Sequence, residues 1–125
     1  MFSAIDVRLL DPAPWLSPAD RARLLAPKLK ALADRHRLEI VLLLAEQPRT
    51  VKELQEATGL SPTLVSHHLK PLRDQDLVVA RPVGRSNRYE LCCEALGEPV
   101  KFLTTLAALT PEGVAACCAP SEEKA

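Results

Sequence analysis

Residues 61–77, SPTLVSHHLKPLRDQDL, constrain the fold more than any other stretch of this chain. Val65, His68, Leu69 and Leu72 recur at i, i+3, i+4, i+7, the spacing that buries one side of a helix. Thr63, Ser66, His67 and Lys70 fall on the opposite side, short hydrogen-bonding groups with a cation at the far end. Ser61 is suited to cap this helix, and Pro62 to its first position, where a missing N–H costs nothing. A shorter helix, TVKELQEATG over 50–59, precedes it, and Gly59 supplies the stop between the two. Two short helices joined by a Gly-containing turn, the second presenting small polar residues, describe a helix-turn-helix.

The next segment, LVVARPVGRSNRYEL, alternates apolar and polar residues around the turn formers Gly84, Ser86 and Asn87, which predicts a two-strand hairpin. Arg81, Arg85 and Arg88 decorate the hairpin, and Lys70 and Arg73 the helix. Within 61–90, five Lys/Arg stand against Asp74, Asp76 and Glu90, an excess that a dimer would double on one face. A helix reaching base edges, with a cationic wing gripping phosphate, is a sensible division of labour. The candidate DNA-binding residues are therefore Ser61, Thr63, Ser66, His67, Lys70, Arg73, Arg85 and Arg88.

ALADRHRLEIVLLLAE, LSPTLVSHHLKPLRDQDLV and GRSNRYEL together resemble the ArsR/SmtB family of dimeric winged-helix repressors. Members typically show A-L-A-D-x-x-R-L before the second helix and V-S-x-H-L-x-x-L in the recognition helix. The resemblance covers about residues 28–91. It implies a mainly α (α+β) winged helix-turn-helix, with about five helices plus a two-strand β-wing, assembled as a homodimer on double-stranded operator DNA. One departure matters. The family often carries Gln after the Ser that opens the recognition helix, suited to bidentate contact with adenine. Pro62 stands there in this chain, so base reading falls to Thr63, Ser66 and His67.

A chain of 125 residues makes one domain, near the size where dimerisation adds useful burial. Aromatics are only 3%, so Leu, Val and Ala must do the packing. Formal net charge is zero, and affinity for DNA must therefore come from local charge placement. No apolar run is long enough to span a membrane, and the N-terminus lacks a signal-peptide layout. A cytoplasmic location is expected, and with it four cysteines kept as thiols.

The remaining pattern sets the expected architecture. Residues 1–17, with Pro12, Pro14 and Trp15, read as an N-terminal arm. Residues 18–109 form the DNA-binding and dimerisation domain. Helix 18–33 carries Leu25, Leu29 and Leu32 on one stripe; helix 35–46, capped by Asp34, turns Leu38, Val41, Leu42 and Ala45 to the core. Helix 95–109 has two apolar faces, Leu96, Val100, Leu103 and Ala107 on one and Phe102, Leu106 and Leu109 on the other. Pro99 is expected to delay or kink its start. Two faces need two partners, its own domain and a twin subunit, paired through helix 18–33. Such a dimer sets its recognition helices roughly 34–36 Å apart. Residues 110–125 read as a flexible tail.

The cysteines are Cys92-Cys93, where wing meets last helix, and Cys117-Cys118 in the tail. Two vicinal pairs in so small a chain point to a shared soft guest, since thiolates favour thiophilic ions. No His, Asp or Glu is interleaved at zinc-ligand spacing. A 15-residue helix spans about 22 Å, and eight extended residues reach at most about 26 Å. Reach therefore permits the pairs to meet within one chain or across a dimer. His36, His67 and His68 are better explained by non-ligand roles.

The resemblance narrows the ligand. Members that sense metals before the recognition helix carry Cys-x-Cys there, where this chain has VKELQEA; members that sense zinc or nickel along the dimer helix use Asp and His, and 95–109 has no His. Others bind trivalent arsenic through cysteines at the start of that helix, where Cys92 and Cys93 stand. This implies As(III) held by three thiolates, the third from Cys117 or Cys118, with Hg(II) or Cd(II) as alternatives and a redox or persulfide switch after them. The ion is an inducer rather than a cofactor, and its capture would release the operator. An enzyme, such as a thiol-dependent arsenate reductase, lacks support from any C-x-x-C, anion-binding loop or βαβ pattern. A metal-binding interaction module that has lost DNA binding draws some support from Pro62 and the neutral net charge.

Overall fold

Side-chain caps set where the helices begin. The computed structural model describes residues 15–118, in the order α1 (Pro18–Leu32), α2 (Arg35–Glu46), β1 (Arg49–Thr50), α3 (Val51–Thr58), α4 (Pro62–Asp74), β2 (Val78–Val83), β3 (Ser86–Leu91), α5 (Cys93–Ala107) and α6 (Pro111–Cys118). Most of the expected arm, residues 1–14, and residues 119–125 of the expected tail lie outside the described residues. Ser17 Oγ accepts the Asp20 amide, Asp34 accepts those of His36 and Arg37, and Ser61 Oγ accepts that of Leu64. Thr50 and Glu53 form a reciprocal capping box on α3. Each such cap is worth about 1 kcal/mol. Gly59, at φ 76°, takes the left-handed conformation that ends α3. The C-terminus of α1 is closed from outside, because the Arg37 guanidinium donates to Ala31 O at 2.7 Å and Lys30 O at 3.1 Å.

The hairpin forms as expected, but a third strand joins it. The sheet order is β1-β3-β2, all antiparallel, with Arg49 opposite Tyr89 and Thr50 opposite Arg88. Two residues carry too little pattern to be read as a strand, and β1 exists because β3 offers an open edge. Pro82 lies on β2, an edge strand, where a missing donor is tolerated.

The core gathers Ile40, Val41 and Leu44 from α2, Leu54 from α3, Val65, Leu69 and Leu72 from α4, and Leu77, Val78 and Tyr89 around the sheet. The recognition-helix face is as expected, except that His68 is only part-buried. The face of α2 is corrected. Leu38 and Leu42, expected inside, are 46% and 61% exposed, and Ala45 is exposed too, while Ile40 is fully buried. Leu42 lies on the same stripe as Arg35, Glu39 and Glu46, and that polar side faces outward while Ile40, Val41 and Leu44 turn in.

The C-terminal elements differ from expectation in two ways. Helix α5 starts at Cys93 and carries Pro99 buried within it. Residues Pro111–Cys118, read as tail, form α6. Gly113 permits that helix, for a methyl group there would lie 1.7 Å from Ala107 O at the end of α5. Among the described residues there are thus six helices and three strands, one more of each than expected. None of these helices is long and apolar enough to cross a membrane.

Candidate nucleic-acid interface and thiol site

Burial of Val65, Leu69 and Leu72 leaves the other side of α4 in solvent, and Thr63, Ser66, His67 and Lys70 are all exposed there. Ser61 is exposed too, but its hydroxyl oxygen is committed to the Leu64 amide at 3.2 Å. Lys70 Nζ lies 3.0 Å from Asp74 Oδ2, an exposed pair one turn apart. Arg73 is exposed as well, its guanidinium 5.8 Å from the centre of the Tyr89 ring. That stacking ties the C-terminal half of α4 to the sheet. Leu64 went unread in the sequence. It is 46% exposed at the N-terminal end of the reading face, and an apolar group there is suited to a thymine methyl.

On the wing, Arg85 sits at the turn and Arg88 on β3, both exposed. Arg81 faces Arg88 across the strands and is ion-paired with Glu90, two residues further along β3. A groove of about 750 Å³ runs between α4 and the sheet, lined in part by Ser66, Lys70, Arg73 and Tyr89. The exposed helix face and the base of the hairpin thus share one concave surface, while Arg85 and Arg88 lie outside its lining. Glu53, beside the wing, has its carboxyl held below the usual range, first by the Thr50 backbone amide and further by Arg88.

The three histidines cluster where α2 meets α4. The His68 ring centre is 5.3 Å from that of His36 and 5.5 Å from that of His67. His68 Nδ1 is buried without a hydrogen-bond partner and lies 3.6 Å from Asp34 Oδ2, too far for a hydrogen bond. Burial lowers the His68 pKa below 6.5, and the neighbouring Asp34 carboxylate opposes that shift. Asp34 itself is lowered, chiefly by the backbone amide of Arg37. Among the described residues no group of three or more His, Cys, Asp or Glu is placed to hold a metal ion.

The cysteine pairs are not brought together. Cys92 caps α5 without a side-chain hydrogen bond and is part-buried; Cys93 is exposed, and both are free thiols. Cys117, expected as a thiol, is disulfide-bonded. Cys93 lies about 21 Å along α5 from Ala107, whereas Cys117 follows Gly113, packed on Ala107, by only about 6 Å of helix. An extended tail could have closed that gap, and a helical one does not. Cys92 does connect to the reading helix. Its backbone amide donates to Leu77 O at 2.9 Å, and the Leu77 amide donates to Leu72 O of α4 at 2.9 Å.

Residues 34–79, the segment from the α2 cap through α4 into β2, match the family model described as bacterial regulatory protein, arsR family. An arsenical resistance operon repressor from Staphylococcus aureus is 39% identical over 78 residues, which cover 62% of this chain and 75% of that protein. The chain belongs to the ArsR family. A transcriptional repressor SmtB homolog from Synechocystis sp. is 41% identical over 78 residues, 62% of this chain and 59% of that relative, so the ArsR-type match spans little more than half of the relative's length. The homodimeric winged helix-turn-helix DNA-binding domain Mb0332 from Mycobacterium bovis superposes with a TM-score of 0.59 at 31% identity, covering 74% of this chain and 87% of that one. The winged helix-turn-helix of this ArsR-family chain is therefore shared with a solved dimer, and its two free thiols lie outside the matched segment.

Proposed function

We propose that this chain is a metal(loid)-responsive transcriptional repressor that binds operator DNA as a dimer and lets go when trivalent arsenic binds cysteine thiolates. Thr63, Ser66 and His67 read base edges, Lys70, Arg73, Arg85 and Arg88 hold phosphate, and Ser61 fixes the start of the reading helix. The relatives named as repressors support the general role, and the one named for an arsenical resistance operon supports the inducer class.

One observation carries the sensing half: the free thiols Cys92 and Cys93 sit two backbone hydrogen bonds from α4, through Leu77. An ion that tightens the Cys92-Cys93 turn pulls on the carbonyl of Leu77 and so on the pitch of the reading helix. A coupling of about 1–3 kcal/mol between ion and DNA is enough for induction, and it acts in both directions. As(III) takes three thiolates. Two come from Cys92 and Cys93, and the third from Cys117 or Cys118 of the twin subunit once the disulfide at Cys117 is reduced. A second reading has its own support. Among the described residues the free thiols are Cys92 and Cys93, adjacent in one chain, and two thiols are sufficient for Hg(II).

The test is operator release. With reduced protein and DNA from the chain's own promoter region, Cys92→Ser/Cys93→Ser should bind as wild type and ignore arsenite. Normal release from that double variant would sink the sensor assignment. Release of wild type by Hg(II) but not by arsenite would select the second reading.

A further inference from the structure

We infer that the elbow between α1 and α2 is a second clamp for DNA phosphate, on the flank of the recognition helix opposite the wing; this rests on the DNA-binding reading above. The segment Lys28–Arg37 holds Lys28, Lys30, Arg35 and Arg37 against the single acid Asp34. In a chain of zero formal net charge, ten residues with an excess of three cations outweigh the excess of two found in the thirty residues of reading helix and wing. A cation in the last turn of α1 is ordinary complement to the helix dipole. That accounts for Lys30, and Arg37 closes the end of α1 through the Ala31 and Lys30 carbonyls, which leaves the exposed Arg35 without a structural role.

The acid is also the group least able to cancel the field. Asp34 accepts the His36 and Arg37 amides, both at 3.0 Å, and turns its charge to the start of α2. Lys28 is partly engaged, 3.8 Å from Glu98 on α5. Lys30 and Arg35 remain exposed.

Position makes this patch useful. Helix α4 has a groove on each side. One runs to the sheet, and the other, of about 440 Å³, runs to α1 and is lined in part by Lys30, Arg37, His67 and Lys70, with one acid, Asp74, paired to Lys70. His67 and Lys70 are themselves on the exposed reading face, so the second groove opens where DNA must lie. A major groove about 12 Å wide just admits a helix, and a phosphate backbone then passes on either side of it. The wing takes one backbone, and the elbow faces the other.

The elbow also moves with the reading helix. The Arg37 guanidinium is bonded to the last carbonyls of α1, and Asp34 and His36 both lie against His68 of α4. Its cations are held in register with Thr63, Ser66 and His67. Phosphate gripped there fixes the angle of α4 in the groove without reading sequence.

Because phosphate contacts are independent of sequence, a labelled duplex of arbitrary sequence is a sufficient probe for the full-length protein. Binding is followed by anisotropy across a salt series. Lys30→Gln should weaken binding several-fold at low salt and reduce the slope of log affinity against log salt by about 0.9 for each phosphate lost. Arg35→Gln should act likewise, and it guards against a folding artefact at Lys30. Lys101→Gln, the same charge loss on exposed α5, should leave the slope unchanged. An unchanged slope in both elbow variants, or the same loss in Lys101→Gln, overturns the clamp. If those elbow results accompany a reduced slope in Arg85→Gln, the DNA-binding reading survives while the elbow does not. Wild-type protein with no salt-dependent binding to any duplex would overturn both.

Discussion

The α2–β3 half of the molecule and the α1/α5/α6 half handle apolar surface in opposite ways. In the first, α2, α3, α4 and the sheet close on one another, and Ile40, Leu54, Val65, Leu69, Leu72 and Leu77 are essentially inaccessible to water, with Leu38 and Leu42 on the outer side of α2 as exceptions. In the second, Leu24 on α1 and Val100, Leu103 and Leu106 on α5 are half exposed or more, Leu109 just beyond α5 is 78% exposed, and only Leu25, Ala31 and Pro99 are buried. The closed half can be satisfied by one chain. The open half has the surface of an unfinished core, and the homodimeric relative supplies the natural way to finish it. In the proposed function, reading DNA and assembling the reader would rest on different kinds of burial, one within the chain and one between two copies.

The largest effects should separate the halves. Leu69→Ala, in the closed half, should cost about 2–5 kcal/mol in urea unfolding, because it leaves a cavity among fixed neighbours. Leu103→Glu with Leu106→Glu, in the open half, should leave helix content intact and turn a dimer into a monomer by sedimentation. Its unfolding midpoint should also lose its dependence on protein concentration. If the double variant instead unfolds outright, the open half belongs to the monomer's own core and the contrast drawn above is wrong.

The same contrast explains what could be read from the sequence. The closed half was legible because local rules and tertiary structure agree there. Asp34 and Ser61 are good caps and do cap α2 and α4. The apolar stripe of α4 has a single face, and that face is buried. The exceptions are informative. The orientation of α2 was misread because the apolar run Leu38, Ile40, Val41, Leu42, Leu43 and Leu44 masks a polar stripe of Arg35, Glu39 and Glu46, on which Leu42 lies. Strand β1 was missed because its two residues are a strand only by pairing with β3. In the open half α6 was missed, since EGVAACC has weak periodicity and depends on the close approach of Gly113 to Ala107. Missing α6 made the thiol pairs look able to meet. Of the candidate site, the exposed face of α4 and the wing arginines were legible. The elbow groove was not, because it depends on how α1 packs beside α4.

A smaller effect should appear at the seam between the halves, where His68 of α4 meets the elbow. His68 is neutral-favouring in the folded chain, since burial outweighs the pull of Asp34, with His36, His67 and Arg37 adding like charge. Its folded pKa lies below 6.5. As pH falls through the unfolded value, the unfolded chain takes up the proton first, so stability declines there and levels once the folded form is protonated too. A second decline follows at lower pH. The lowered pKa of Asp34 contributes stability that is present above 3.8 and is lost as its carboxylate is protonated. Melting temperature should therefore begin to fall as pH drops through 6.5 in wild type. His68→Gln should flatten that limb and leave the acid limb in place. An unchanged upper limb would mean that His68 is not the group that titrates.

The smallest effect lies within the closed half, at the one described non-glycine residue with positive φ. Asp76, at φ 58°, turns the chain from α4 into β2, and its amide donates to Arg73 O at 2.9 Å. A left-handed conformation costs an L residue about 1–2 kcal/mol, and Asp somewhat less because its short side chain tolerates it. Glycine would remove that strain but would add about 0.4–1 kcal/mol of unfolded-state entropy. The two nearly cancel, so Asp76→Gly should stabilise by about 0.5 kcal/mol at most, read as a small rise in urea midpoint with an unchanged slope. Asp76→Val carries the full strain with a β-branched side chain and should lose more than about 1 kcal/mol. Were both variants neutral, the turn would relax freely. The hydrogen bonds that run from Cys92 through Leu77 to Leu72, beginning one residue beyond Asp76, would then be too soft to carry a signal from thiol to helix.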